Sequence, residues 1–103
     1  MALIAIAAPA TAGAGAFTLV NGASVPLSEI AVRRFGTQQW QTVSPAAAPG
    51  ARQSVTLSDP DCSFDIQANV NGSGVVWTGV NLCEVKTVIL NRNESGEIWV
   101  DYD

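Results

Sequence analysis

Two cysteines, Cys62 and Cys83, bracket the stretch "CSFDIQANVNGSGVVWTGVNLC", and the chain contains no histidine. That absence removes the commonest general base and the commonest metal ligand. A Ser-His-Asp or Cys-His arrangement is therefore impossible, and the cysteines read as a disulfide rather than as a nucleophile. Carboxylates are plentiful, but glycoside hydrolysis needs two of them held across a cleft, and so small a chain has little cleft to hold them. No Gly-rich phosphate loop opens a helix. These residues predict a protein that is not an enzyme and uses no cofactor.

Asp59, Asp61 and Asp65 in "SDPDCSFD" supply oxygens hard enough for calcium. No Gly at the sixth position and no Glu at the twelfth complete such a loop. Asp59 and Asp61 flank Pro60 in a turn, and Asp65 is expected on the outward face of a strand, so the stretch reads as a solvated turn with no metal site. Two tryptophans are the better leads. Trp40 stands among Gln38, Gln39 and Gln41, and Trp99 alternates with Ile98 and Val100 beside Glu97 and Asp101. Exposed Trp in polar company suits stacking on a sugar or anchoring a partner protein. Trp40 has an alternative role, plugging the open end of the fold. Trp77 is expected in the core with Phe64, and Ile98, Val100 and Tyr102 are expected to face the core.

The elements that must position these residues are short alternating runs. "FTLVN" (17–21), "EIAVRRF" (29–35), "QSVTL" (53–57), "KTVIL" (86–90) and "EIWVDY" (97–102) have strand periodicity, with turn residues between them. "SPAAAPG" (44–50) reads as a loop. Together with the hairpin between the cysteines they predict an all-β fold. It is a small antiparallel β-sandwich of about seven strands and one disulfide, immunoglobulin-like in architecture only, over residues 17–103. Along the hairpin's first arm Cys62, Phe64, Ile66, Ala68 and Val70 share one face, with Ser63, Asp65, Gln67 and Asn69 on the other. Its tip is either Asn71-Gly72 or Gly72-Ser73. Only the second lays Cys62 directly opposite Cys83, within the 7 Å or so a disulfide needs. The Gly72-Ser73 register, which also sets Trp77 beside Ala68, is therefore the expected one, and a bulge near Gly79 is the feature that would shift it. The last strand is expected at a sheet edge, where a partner strand could add.

Residues 1–16, "MALIAIAAPATAGAGA", have the texture of a secretory leader: an apolar run over Leu3–Ala8 and a small-residue end at Ala14-Gly15-Ala16. The basic start of such a leader is missing. The run is too short to span a membrane, which takes about 20 residues. A domain so small buries roughly 60% of its unfolded surface, and a disulfide adding roughly 3 kcal/mol fits an oxidising compartment, secreted or periplasmic. The net charge of −4 is uneven. Arg33, Arg34 and Arg52 face only Glu29 in residues 17–52, while eight acids face Lys86 and Arg92 in residues 53–103. With no cluster of basic residues, nucleic-acid binding is not expected.

Trp40, Cys62, Phe64, Asp65, Leu82, Cys83 and Glu84 also carry a resemblance covering roughly Phe17–Leu90. The pattern of an opening Asn-bearing strand, a Trp in a mid-chain loop, Cys-x-[FY]-Asp and Asn/Asp-Leu-Cys-Glu resembles a family of short exported bacterial proteins of unknown function. The stretch "RRFGTQQW" departs from it, since such proteins more often carry a Ser/Gly/Asn-rich loop before the Trp. The resemblance implies export and a small β domain, and no activity. The expectation is a non-catalytic exported module that binds a glycan or protein at the cell envelope through Trp40 or Trp99. The alternative is a structural subunit that self-associates by strand addition.

Overall fold

The computed structural model describes residues 13–103, so residues 1–12 of the expected leader lie outside them. The described chain is all β, with no helix and hence none long and apolar enough to cross a membrane. Eight strands follow in order: β1 (Ala14–Asn21), β2 (Leu27–Arg34), β3 (Gln41–Ala47), β4 (Arg52–Asp59), β5 (Ser63–Val70), β6 (Ser73–Asn81), β7 (Thr87–Arg92) and β8 (Ile98–Tyr102). They form two four-stranded sheets, ordered β4-β1-β7-β8 and β3-β2-β5-β6. β1 and β7 run parallel, and the other pairs are antiparallel.

Alternation explains the core. Phe17, Leu19, Val55, Leu57, Val88 and Leu90 come from the first sheet, and Ile30, Val32, Phe64, Ile66, Trp77 and Val80 from the second. Each set lies on the buried face of its strands, so the two sheets close on one another through apolar side chains. The buried indole N–H of Trp77 donates to the Asn91 carbonyl at 3.0 Å. This bond satisfies a polar atom that burial would otherwise penalise and ties β6 to β7 across the core.

The hairpin register differs from expectation. Val70 pairs with Ser73, Ala68 with Val75 and Ile66 with Trp77, so Asn71-Gly72 forms the tip. Both of its residues have positive φ, 51° and 83°, as a type I′ turn requires. A bulge then shifts the ladder. Thr78 and Gly79 together oppose Asp65, and pairing resumes at Phe64–Val80 and Ser63–Asn81. Gly79 takes φ 64° there, a conformation that costs glycine little. The shift brings the Leu82 N–H onto the Cys62 carbonyl at 2.9 Å and leaves Cys83 within reach. The disulfide forms as expected, with a Cα–Cα separation of 5.1 Å, but through a bulge rather than a regular register.

Three other expectations change. β3 occupies part of the stretch read as a loop. Pro45 misleads because it is tolerated in an edge strand, which β3 is, while Ser44 and Ala47 are buried. β3 raises the strand count to eight. Ile98 and Tyr102 do not enter the core. β8 is a short edge strand, and both side chains stay exposed while Val100 is half-buried. β1 begins at Ala14, itself buried, ahead of the strand read from Phe17.

Candidate functional site

The site grows from the end of β2. Arg33 pairs with Asp65 and Arg34 with Phe64 across the β2–β5 ladder, so the two arginines leave opposite faces of the strand. Arg34, on the face of buried Phe64, reaches the other sheet. Its Nε donates to both carboxylate oxygens of Asp59, at 2.9 and 2.8 Å, and lies 3.4 Å from Asp61. That bond and the opposite charge hold the Asp59 carboxyl below the usual carboxylate range and raise Arg34. Asp59 also accepts the Asp61 N–H at 2.9 Å, which fixes the turn around Pro60.

Arg33 serves the other face. Its Nε donates to Oδ2 of Asp65 at 2.9 Å, and its guanidinium lies 4.4 Å from the ring centroid of Trp40. Asp65 was expected on an outward face, yet it is only 2% exposed. The bulge explains the difference, because it turns the Gly79 N–H toward Oδ1 of Asp65 at 3.2 Å. Both carboxylate oxygens thus have a donor, as a buried acid requires. The result is a relay from the Gly79 backbone through Asp65 and Arg33 to Trp40, in which each group orients the next.

Trp40 sits in the β2–β3 connection, half-buried. With Arg33, Arg34, Thr37, Gln39, Gln41 and Asp59 it lines a cleft of about 430 Å³ floored by Val32 and Phe64. That size lies in the range of roughly 300–1,000 Å³ usual for ligand sites. The walls are planar polar groups (amide, guanidinium and carboxylate) around one indole, which suits hydrogen bonding to hydroxyls with a ring stacked nearby.

The other candidate residues lie elsewhere. Trp99 is 45% exposed and lines a smaller groove of about 210 Å³ with Val76, Trp77, Thr78, Ile98 and Val100. Cys62 and Cys83 border a third hollow with Ser63, Gly79, Asn81 and Glu84. Trp40 and Trp99 are therefore not brought into one site. Asp59, Asp61 and Asp65 all turn toward arginines, and among the described residues no group of three acids or cysteines could hold a metal ion.

Sequence reading missed Arg33, Arg34, Asp59 and Asp65 as parts of the site. The available signal was charge, because a basic segment around "RR" and an acidic segment around "DPDCSFD" invite pairing across strands.

No protein-family model matches the chain, and no curated protein matches it. A protein from Eubacterium rectale, solved by NMR, is similar in structure with a TM-score of 0.62, over 92% of this chain and 93% of that one, at 13% identity. At that identity the likeness shows a shared fold.

Proposed function

We propose that this chain is an exported, non-catalytic β-sandwich module of immunoglobulin-like architecture that binds a glycan at the cell envelope in the Trp40 cleft. The observation that carries this reading is the Arg33–Trp40 stack, fixed from behind by buried Asp65. Such a side chain arrives at its ligand already ordered, which lowers the entropy cost of binding. The arginines of the cleft are each matched by carboxylates, so the lining favours neutral hydroxyl-bearing rings over strongly charged ligands. The disulfide and the small core support export.

Titration of the protein with neutral oligosaccharides from bacterial envelopes, followed by calorimetry, tests the reading. Binding that disappears in Trp40→Ala with the fold intact supports it. Retention of a partner protein but of no glycan moves the cleft to protein recognition. Full binding in Trp40→Ala overturns the site.

Self-association through β8 is a second reading, favoured by the place of β8 at a sheet edge. Antiparallel pairing of two copies about Val100 would set Glu97 opposite Asp103 of the second copy, which like charge disfavours. Size measured against concentration separates this reading from the first.

A further inference from the structure

Four small-residue frames of the kind cut by a leader peptidase overlap near the start of the chain: Ala8-Pro9-Ala10, Ala10-Thr11-Ala12, Ala12-Gly13-Ala14 and Ala14-Gly15-Ala16. From the sequence the last of them reads as the end of the leader, but the fold separates them. Ala14 is 5% exposed. Its N–H donates to the Asp61 carbonyl at 3.1 Å, and it pairs with Asp59 of β4 and bridges to Cys83 beside the disulfide. Gly13 is fitted as closely: a Cβ there would collide with the Asp59 carbonyl oxygen and the Pro60 Cα. Residues 13–16 are thus part of the domain.

Cutting after Ala16 would remove Ala14 from the core cluster. It would also create a charged ammonium on Phe17, which is 5% exposed in a strand flanked on both sides by β4 and β7. Burying an unpaired charge there is strongly unfavourable. Cutting after Ala14 removes the same core residue. Of the two earlier frames, Ala8-Pro9-Ala10 puts a proline inside the segment the peptidase must hold. Proteases bind extended backbone through hydrogen bonds, and Pro9 has no N–H to give.

We propose that the mature protein begins at Gly13, through hydrolysis of the Ala12–Gly13 bond. Water adds across that peptide bond, leaving a carboxylate on Ala12 and an ammonium on Gly13. The new ammonium arises beside the backbone carbonyl of Asp59, an oxygen able to accept one of its N–H groups. The proposal rests on the reading that the chain is exported.

Its test is the intact mass of the protein isolated from the cells that make it, together with the unfolding of two refolded chains, residues 13–103 and 17–103. A mass beginning at Gly13 is expected. A start at Thr11, Gly15 or Phe17 would leave export standing and overturn the site, whereas an uncut chain would overturn both. The 13–103 chain is expected to keep the unfolding midpoint of the full chain, and the 17–103 chain to lose its cooperative transition. Equal midpoints for the two shortened chains would contradict the structural argument whatever the mass shows.

Discussion

The guanidinium of Arg33 lies 4.4 Å from the ring centroid of Trp40 while its Nε holds Asp65 at 2.9 Å. One side chain thereby joins a buried acid in the central hairpin to the aromatic residue of the cleft. Cation–π contact contributes about 0.5–1 kcal/mol where partly solvated, so the stack is held mainly by the acid behind it.

The acid–base pair should be asymmetric under mutation. Arg33→Ala leaves Asp65 buried and charged, whereas Asp65→Asn keeps an acceptor for the Gly79 N–H. Because the Arg33 side chain is 24% exposed, solvent offsets part of the penalty. Arg33→Ala should cost about 2 kcal/mol and Asp65→Asn about 1 kcal/mol. Urea unfolding of the two variants checks the order, and equal costs would contradict it.

Gly79 sets both the site and the disulfide, so its backbone conformation is a second point of attack. A Cβ at this position meets nothing within 4 Å, yet φ is 64°. Gly79→Ala should therefore cost about 1–2 kcal/mol from backbone strain alone, and Gly79→Asn less, since Asn tolerates that region. Denaturant midpoints of the two variants give the comparison.

Reading this hairpin from sequence shows what is legible and what is not. Period-2 alternation correctly placed Phe64, Ile66 and Trp77 inside, because burial on one face is written residue by residue. Requiring a regular ladder between the two cysteines selects the wrong tip. A bulge adds a residue to one strand without any change in the apolar pattern before it, so Gly79 marks where one could fall without deciding that it does. Trp40 was visible as an aromatic among glutamines, but its partners Arg33 and Asp65 meet only through the β2–β5 register, which no local pattern encodes. β3 was obscured by Pro45, whose tolerance depends on the strand lying at an edge.

Removing the Cys62–Cys83 bond frees a loop with a sequence separation of 21. The cost should be roughly 3 kcal/mol by chain entropy. Comparing thermal unfolding of the protein with that of the Cys62→Ser, Cys83→Ser double variant measures it. A change within error would mean that the bulge and Leu82 pairing hold the hairpin closed unaided.

The Arg34–Asp59 pair gives the end of the cleft a pH dependence of definite sign. The folded state lowers the Asp59 carboxyl below its ordinary value. Its stabilising contribution is therefore complete above the unfolded value of about 3.9 and is lost as pH falls through the lower folded one. Unfolding midpoints of the protein and of Asp59→Asn should differ at neutral pH, begin to converge below about pH 4 and meet in stronger acid. A constant difference across that range would show that the pair does not act through ionisation.

The central claim is that Trp40, and neither of the other two tryptophans, meets the ligand. The most direct measurement is a ¹H–¹⁵N spectrum of the three indole N–H groups and the arginine Nε–H groups during titration with neutral envelope oligosaccharides. The account predicts that the Trp40 indole and Arg33 Nε–H resonances move together with added ligand, while buried Trp77 and edge-strand Trp99 stay fixed. Movement confined to Trp99, with Trp40 unchanged, would contradict it and place recognition on β8.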